Sequence, residues 1–368
     1  MKILQVSKLY PPFFGGIETV VYDLVSELKK KDDCTVDVLC VSDKKKSTIE
    51  LYEDVKVYRD GSSIHLSSVY LSFDFIKTWK KIRNSYDVVH IHLPNPLATF
   101  ALFLFPTNAK VILHWHSDII KQKLLKKLIW PIEKNALKIS DSIIVTSENY
   151  LQHSNDLSDF KDKARVIPIG IKSNKYIKSD YLNILSEKYK SKKIVFSLGR
   201  HVYYKGFEYL IKAAEKLPDN YVVLIGGAGE LTGQLESLID ELNLNSKVFL
   251  IGRIDDDKIS DYFYLADVFC LPSIEKSEAF GVVQLEAMSV GLPIVSSDIL
   301  GSGVGWVNKN GITGLTTIPK DIDDLSKKIR IVCENNMFNK DNVLEHFYSN
   351  FTREKMSESI IDLYRKLL

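Results

Sequence analysis

Short apolar runs alternate along this chain with longer segments in which apolar residues recur at helical spacing. That alternation is typical of α/β proteins built on parallel sheets. The runs that we predict to be strands are KILQV, TVDVLCV, DVVHIH, KVILHWH, SIIVTS and ARVIPI, followed by KIVFSLG, YVVLIGG, KVFLIG, DVFCLP and PIVSS. Helices are predicted between them, over residues 17–30, 73–84, 119–139, 206–217, 230–242, 256–265, 280–290 and 322–333, and over the closing stretch FTREKMSESIIDLYRKLL.

A polar stretch, KSNKYIKSDYLNILSEKYKSKK, interrupts this alternation near the middle of the chain. The length of 368 residues exceeds what one ordinary core accommodates. We therefore predict two Rossmann-like domains facing across a cleft, residues 1–172 and 193–350, with a linker at 173–192 and a final helix at 351–368. Clefts between domains are common ligand sites.

Composition places the chain among ordinary globular proteins, at 45% hydrophobic and 26% charged residues. A net charge of +2 gives no general attraction to nucleic acid, so we expect no nucleic-acid partner. The four cysteines form no C-x-x-C pair, which is typical of a reducing compartment. The start, MKILQVSKLYPP, has no cleavable signal pattern, and the apolar run PLATFALFLFP is too short to span a bilayer. These features predict a cytoplasmic protein.

Two familiar nucleotide-binding loops are missing from the sequence. Neither the dinucleotide turn G-x-G-x-x-G nor the phosphate loop G-x-x-x-x-G-K-[ST] occurs. The first predicted strand leads instead into KLYPPFFGGIE, where Gly15 and Gly16 begin a helix. That double glycine could let an anion approach the helix N-terminus, or it could be only a turn.

Arg200 and Lys205 lie in SLGRHVYYKGFEYL, between a predicted strand and a predicted helix. Ligands of α/β proteins bind at this edge of the sheet, where two cations could neutralise a diphosphate. Two solvated surface cations are the alternative.

Glu278 and Glu286 stand in the otherwise mostly apolar run KSEAFGVVQLEAMSVGLP. Burying an unpaired carboxylate is costly, so each acid needs a partner. A helix would separate them by roughly 12 Å, a distance similar to that from the ribose to the sugar of a nucleotide-diphosphate sugar. Carboxylates accept hydrogen bonds from sugar hydroxyls. An ion pair with nearby Lys276 is the competing interpretation.

Between the two glutamates, the start of the predicted helix leaves backbone amides free. Those of Phe280, Gly281 and Val282 would face the phosphates of the nucleotide sugar.

The chain resembles the GT4-type retaining glycosyltransferases with the GT-B fold. The resemblance rests on motifs that occur in a fixed order, namely GGIE, GR…KG, GGAGE, GR, AD, the E-x7-E pattern and the closing FTREKM…LY helix. The resemblance covers essentially the whole chain and is nearest in pattern to bacterial polysaccharide mannosyl- and hexosyltransferases. It implies that the final helix crosses back to the first domain. The loop GSGVGWVN replaces the family's more common sequence and is expected to shape the donor pocket.

The resemblance also implies roles for individual residues. Arg200 and Lys205 would bind the donor diphosphate, Glu278 the donor-sugar hydroxyls, and Glu286 the ribose. His116 matches the family's active-site histidine of the first domain. The remaining donor-binding positions implied are Gly15, Gly16, Gly227, Arg253, Phe280, Gly281 and Val282.

The pairs His90-x-His92 and His114-x-His116 could suggest metal ligands, because alternate strand residues share a face. No acidic or cysteine ligand at suitable spacing completes either pair. We therefore expect one member of each pair to pack inside, and His116 with Asp118 to face the cleft. Since DDD at 255–257 begins a predicted helix, no Asp-x-Asp metal motif is available, and neither metal nor cofactor is expected.

A lysine-rich segment, DIIKQKLLKKLIWPIEKNALKIS, follows the second histidine pair. Its side chains could rest on an anionic membrane surface, or they could form only a solvated helix face. On a helix, four cations fall within about 60° of arc, namely Lys123, Lys127, Lys134 and Lys138.

Together these features predict a glycosyltransferase that moves a hexose from a nucleotide-diphosphate sugar to a sugar acceptor. We favour GDP-mannose over a UDP-sugar as the donor. The acceptor that we expect is a lipid-linked glycan of polysaccharide or glycolipid synthesis. The resemblance implies retention of configuration and supports a location on the inner face of the cytoplasmic membrane. Alternatives are a GT-B epimerase, a phosphorylase, for which no cofactor lysine is identifiable, and a non-catalytic sugar-nucleotide-binding relative.

Overall fold

The computed structural model describes residues 1–13, 15–62, 64–66, 69–118, 123–173, 175–335 and 337–368. The chain divides into two compact units. Unit 1 comprises Met1–Ile171 with Arg353–Leu368, and unit 2 comprises Lys172–Thr352. Each unit is a predominantly parallel α/β layer structure, so the predicted fold class is confirmed.

The described part of unit 1 contains an eight-stranded sheet in the order β10-β9-β8-β7-β1-β2-β4-β3. Its strands pair in parallel except for β3 with β4, and β5 with β6 forms a separate antiparallel pair. The strands are β1 (Lys2–Val6), β2 (Thr35–Ser42), β3 (Thr48–Tyr52), β4 (Val55–Gly61), β5 (Ile64–Leu66), β6 (Val69–Leu71), β7 (Val88–Leu93), β8 (Lys110–Trp115), β9 (Ser142–Val145) and β10 (Ala164–Val166).

The helices of unit 1 connect these strands, and the last one returns from the end of the chain. They are α1 (Gly16–Leu28), α2 (Phe73–Ile82), α3 (Pro96–Leu104), α4 (Lys123–Ile139), α5 (Glu148–His153) and α14 (Arg353–Leu367). Helix α14 packs against α1. At its start, the guanidinium of Arg353 lies 2.7 Å from Glu27 and 3.5 Å from Asp23 of α1.

Unit 2 has a six-stranded, wholly parallel sheet in the order β13-β12-β11-β14-β15-β16. Its strands are β11 (Lys193–Leu198), β12 (Tyr221–Gly226), β13 (Val248–Gly252), β14 (Val268–Leu271), β15 (Ile294–Ser297) and β16 (Gly314–Thr317). Its helices are α6 (Tyr181–Lys188), α7 (Phe207–Glu215), α8 (Thr232–Glu241), α9 (Ile259–Leu265), α10 (Val283–Met288), α11 (Val304–Val307), α12 (Ile322–Glu334) and α13 (Lys340–Asn350).

The apolar runs become central strands because helices cover both faces of a parallel sheet. Every residue of β7, β12 and β14 is buried. In contrast, β3 is mostly exposed along its length, which is why its sequence gives no apolar run and the strand was not predicted.

The segment 173–192, predicted to be a linker, lies within unit 2. It contains α6, which packs against α9. Tyr176, Leu185 and Tyr189 are buried, and the ring of Tyr176 meets that of Phe263 edge to face at 5.3 Å. Polar residues dominate the sequence of this segment, but these apolar side chains attach it to the unit.

Among the described residues, none of the helices combines the length and apolar character required to traverse a bilayer.

Candidate functional site

The sheet of unit 2 reverses its direction of growth between β11 and β14. From β11 the chain proceeds outward to β12 and β13, then returns to place β14 on the other side of β11. Such a switch point opens a crevice at the carboxyl ends of the two strands. The loops after β11 and β14 touch there, because a Cβ at Gly206 would lie only 2.2 Å from the carbonyl oxygen of Pro272. Lys205 and Glu278 lie in these two loops.

Lys205 and Glu278 form a largely buried ion pair. Lys205 Nζ lies 2.5 Å from Glu278 Oε2, and the two side chains are 12% and 11% exposed. Ser273 Oγ, at the end of β14, donates to the same carboxylate oxygen at 3.1 Å. Sequence proximity suggested Lys276 as a partner for this acid, whereas Lys205 comes from a loop far away in the sequence. Two predicted site residues are thus in direct contact.

The loop GSGVGWVN holds the backbone that carries Glu278. Ser302 Oγ donates to the carbonyl oxygen of Glu278, and Gly303 N donates to Ala279 O at 2.7 Å. Gln284 Nε2 donates to Val304 O at 3.3 Å. This loop was predicted to shape the site, and its contacts fix the position of the Glu278 backbone.

The helix predicted over 280–290 is shorter in the structure. It begins at Val283 because Gly281, with φ +74°, is in the left-handed region and cannot continue a right-handed helix. Within the described residues, no acceptor is found for the backbone amides of Phe280, Gly281 and Val282. These three predicted donors therefore lie in a turn rather than in the first turn of a long helix.

The carboxyl ends of β11, β12 and β13 are joined through glycines. Gly227 N donates to Gly252 O at 2.7 Å, and a Cβ at Gly227 would lie 1.9 Å from Gly199 O. Arg200 follows Gly199, and Arg253 follows Gly252, so both arginines start from this edge. Both are exposed, and in the described part of the chain neither side chain has a hydrogen-bond or ion-pair partner.

Glu286 lies within α10 and pairs with a lysine from the start of unit 2. Lys175 Nζ is 3.1 Å from Glu286 Oε1, and the glutamate side chain is 17% exposed. Burial raises the pKa of the neighbouring Tyr176 hydroxyl, and the charge of Glu286 adds to that effect. A ribose bound to Glu286 would have to share the carboxylate with Lys175.

In unit 1, Gly15 and Gly16 lie where the sequence predicted, at the start of α1. Gly15 is the N-cap residue in an extended conformation, and no side chain caps the helix. Gly16 has open space where a Cβ would stand. The backbone at this helix start is therefore accessible.

The two pairs do not divide as expected into one histidine that packs inside and one that is open to the cleft. His90, His92, His114 and His116 are all buried, with His116 only 6% exposed. They share one face of neighbouring strands β7 and β8, and their rings stack, those of His114 and His116 at 4.0 Å. Burial lowers the pKa of all four imidazoles, that of His116 to about 3. We call these four residues the histidine cluster.

Asp118 anchors the chain after β8. Its Oδ1 accepts hydrogen bonds from Tyr150 OH at 2.6 Å, Trp115 Nε1 at 3.0 Å and Ser154 Oγ at 3.3 Å. Burial raises the pKa of Tyr150, and the charge of Asp118 raises it further. The contacts indicate that Asp118 ties the end of β8 to α5 and to Ser154, which follows that helix, a role that the sequence did not suggest.

Three members of the histidine cluster meet a distance criterion for a metal site, since ring nitrogens of His90, His92 and His114 lie within 4.8 Å of one another. The ring planes, however, differ by only 10° to 30°. Both ring nitrogens of His92 and Nδ1 of His90 already have hydrogen-bond partners. The arrangement fits hydrogen bonding better than metal binding.

Sequence reasoning missed several residues that contact the predicted ones. Ser273, Ser302 and Lys175 contact the two glutamates, and Gln5 and Tyr364 contact the histidine cluster. Ser273 follows a predicted strand directly, which is a usable signal. Ser302 lies in the loop GSGVGWVN, which the sequence already singled out. Lys175, Gln5 and Tyr364 come from distant segments, for which the sequence offers no signal.

Two family models match this chain. The model "Glycosyltransferase Family 4" matches residues 14–175, and "Glycosyl transferases group 1" matches residues 185–354.

Individual relatives agree with these models. O-antigen chain mannosyltransferase C of Escherichia coli is 30% identical, over 100% of this chain and 99% of that protein. D-rhamnosyltransferase WbpZ of Pseudomonas aeruginosa is 32% identical, over 87% of this chain and 83% of that protein. The crystal structure of Anabaena HepE in complex with UDP has the same fold, with a TM-score of 0.78 at 19% identity, covering 100% of each chain. The chain therefore belongs to the family 4 glycosyltransferases, enzymes with the GT-B fold.

Proposed function

We propose that this glycosyltransferase moves a hexose from a nucleotide-diphosphate sugar to a sugar acceptor during the assembly of a bacterial surface polysaccharide or glycolipid. The observation that carries the proposal is the buried Lys205–Glu278 pair at the switch point of unit 2, next to three free backbone amides. A cation, a carboxylate and amide donors are the groups required by a diphosphate joined to a sugar.

The diphosphate is assigned to the cationic groups of unit 2. Arg200 is exposed and free to form a bidentate contact with phosphate oxygens, while Lys205 supplies a second charge from the same loop. The amides of Phe280, Gly281 and Val282 would donate to the remaining oxygens. As the bond between the anomeric carbon and the phosphate oxygen breaks, negative charge accumulates on the leaving diphosphate, and these donors stabilise it.

Glu278 is assigned to the donor sugar. The contacts of Lys205 and Ser273 converge on its Oε2, so Oε1 is the atom placed to accept hydrogen bonds from sugar hydroxyls. Glu286 is assigned to the ribose hydroxyls, and Arg253 with Gly227 to the edge that flanks the base. We expect the acceptor hydroxyl to form the new glycosidic bond with retained configuration and without a metal ion.

The relatives guide the choice of donor. One of the proteins described above is named a mannosyltransferase and another a D-rhamnosyltransferase, and the E. coli relative acts on an O-antigen chain by its name. The solved structure of similar fold holds UDP. GDP-mannose is therefore the first donor to test, UDP-hexoses are the second, and a lipid-linked glycan is the acceptor class.

Replacing Arg200 with alanine is expected to lower turnover at least about 100-fold, because one donor to the developing charge is removed. Release of nucleoside diphosphate from a panel of GDP- and UDP-sugars, with lipid-linked glycan acceptors, measures the effect. Arg330→Ala is the matched control, since Arg330 lies on α12 and pairs with Glu334. It should leave turnover unchanged.

The same assay separates the alternatives. Equal turnover of wild type and Arg200→Ala would overturn the diphosphate assignment. Conversion of the donor sugar to its epimer without an acceptor would favour an epimerase. Consumption of inorganic phosphate would favour a phosphorylase. Tight binding of a donor without any turnover would favour a non-catalytic relative.

A membrane surface is the second partner that we propose, through helices α3 and α4 of unit 1. These helices pack together and expose large apolar side chains, namely Phe103 at 49%, Leu104 at 42% and Leu128 at 76%. Lys127 and Lys138 are exposed on α4, and Lys134 pairs with Asp159 at 3.1 Å. Lys123 begins α4, but its side chain and residues 119–122 lie outside the described part of the chain. Exposed apolar and cationic groups on this pair of helices fit an anionic lipid surface such as the inner face of the cytoplasmic membrane.

Changing Lys127, Lys134 and Lys138 to glutamate is expected to abolish co-sedimentation with anionic phospholipid vesicles. Each cation near such a surface contributes about 1 kcal/mol, and each substitution also introduces repulsion. The control changes three exposed lysines around the end of α6 to glutamate, namely Lys188, Lys190 and Lys192. Equal sedimentation of both triple variants would argue against a specific membrane face.

A further inference from the structure

A continuous chain of side-chain hydrogen bonds crosses the interior of unit 1 and ends at His116. His116 Nε2 lies 3.0 Å from His92 Nδ1, and His92 Nε2 lies 2.8 Å from Gln5 Oε1. Gln5 Nε2 lies 3.0 Å from Tyr364 OH, which lies 2.5 Å from His90 Nδ1. All five residues are buried, and Tyr364 belongs to α14.

The orientation of the Gln5 amide, with Oε1 toward His92 and Nε2 toward Tyr364, gives this chain one direction. Gln5 Oε1 can only accept, so His92 Nε2 must carry the proton and donate it. A neutral His92 then presents an unprotonated Nδ1, which accepts from His116 Nε2–H. At the other end, Tyr364 accepts from Gln5 and is free to donate its own proton to His90 Nδ1. Every link therefore pairs one donor with one acceptor.

The direction of the chain determines what His116 can offer to a ligand. With its proton on Nε2, the neutral imidazole has only a lone pair on Nδ1. Within the described residues, Nδ1 has no hydrogen-bond partner. Burial also disfavours the doubly protonated form of this ring. A group that binds at Nδ1 must consequently be a donor, such as a sugar hydroxyl.

We propose that Gln5, His92 and Tyr364 are positioning residues that hold His116 as the Nε2–H tautomer, so that its Nδ1 can only accept a hydrogen bond, from a hydroxyl of the substrate. This inference rests on the proposed function only for the identity of that hydroxyl. It assigns α14 a role in the site chemistry, because the phenol of Tyr364 closes the chain. The tautomer itself can be tested without any assay of sugar transfer.

Tyr364→Phe is the test variant, since it removes one oxygen and leaves the ring in place. Gln5 then lacks its acceptor, its amide can rotate, and the preference for one tautomer is lost. Long-range 15N–1H correlation spectra of the full chain, with histidines assigned by substitution, report which nitrogen of His116 is protonated. We expect Nε2–H alone in the wild type and a mixture of both tautomers in Tyr364→Phe.

Kinetics supply a second readout. Loss of one neutral hydrogen bond should lower turnover about fivefold to tenfold, while inhibition by the nucleoside diphosphate, which lacks the sugar, stays unchanged. Tyr86→Phe is the control, because it removes a bond of 2.7 Å to Asp37 elsewhere in unit 1. It should alter neither measurement.

Three results would overturn the inference. They are Nδ1–H as the tautomer in the wild type, an unchanged His116 spectrum in Tyr364→Phe, and one equivalent of tightly bound metal in the purified protein. Absence of sugar transfer with a correct tautomer would instead contradict the proposed function alone.

Discussion

Replacing either member of the Lys205–Glu278 pair should lower turnover by about 100-fold or more and also destabilise unit 2 by about 3 kcal/mol. The stability cost arises because Lys205→Met leaves the carboxylate of Glu278 largely buried, with the hydroxyl of Ser273 as its one remaining side-chain partner among the described residues. Glu278→Gln leaves the ammonium without its counter-charge. The catalytic cost arises because the two residues are assigned to the diphosphate and to the sugar. Steady-state kinetics and urea unfolding measure the two effects separately.

The double variant Lys205→Met with Glu278→Gln distinguishes structure from chemistry. With both charges removed, no uncompensated ion remains in the crevice, so most of the lost stability should return. Turnover should not return, because neither the diphosphate charge nor the sugar contact is restored. A stable but inactive double variant is therefore the expected result.

Lys193→Met provides a control within the same unit. Lys193 pairs with Asp267 at 3.1 Å, and its side chain is 40% exposed, so its removal should cost less than about 1 kcal/mol. Turnover should remain at the wild-type level. If the double variant instead transferred sugar at that level, the pair would be purely structural, and the site would have to be sought elsewhere.

Local patterns predicted most of the fold because they reflect burial directly. Every apolar run identified as a strand is one. Most of these strands are buried inside a sheet, whereas β10 and β13 form sheet edges. The exposed strand β3 and the short strand β16 lacked such runs. Helix α10 was predicted too long, because helical spacing alone does not reveal that Gly281 adopts a positive φ.

The candidate site was predictable in its residues but not in its contacts. Arg200, Lys205, Glu278 and Glu286 could be selected by type and position, and the structure brings Lys205 to Glu278. The partners Lys175 and Ser302 come from other loops, and their proximity depends on the finished fold. The histidine cluster was misjudged for the same reason. Its face of the sheet is closed by Tyr364 on the last helix, and the spacing of His90 and His92 carries no information about that helix.

The histidine cluster should make unit 1 unusually sensitive to mild acid. An unfolded histidine is protonated below about pH 6.5, whereas burial keeps these four neutral in the folded state, with the pKa of His116 lowered to about 3. Below pH 6.5 the unfolded chain thus binds more protons than the folded one. The stabilisation is complete above that pH and decreases as the pH falls.

The expected slope is large. Each histidine contributes about 1.4 kcal/mol per pH unit below 6.5, so four contribute about 5.5 kcal/mol per unit. Since a domain is stable by roughly 5–15 kcal/mol, unit 1 should unfold within about two pH units. Asp60 acts in the opposite direction, because burial raises its pKa to about 6 and its protonation favours the folded state. One carboxyl cannot offset four imidazoles.

Hydrogen exchange of the full chain, measured by mass spectrometry between pH 7 and 4.5 with correction for the intrinsic rate, resolves the two units. Peptides of unit 1 should lose protection first, because burial lowers the pKa of only two histidines in unit 2, His201 and His346.

His114→Leu should reduce the slope for unit 1 by about 1.4 kcal/mol per pH unit, since its ring nitrogens have no partner among the described residues. His153→Gln, at an exposed histidine outside the histidine cluster, is the control variant. Equal acid sensitivity of both units would mean that the histidine cluster takes up protons while folded, which contradicts its burial as a neutral stack.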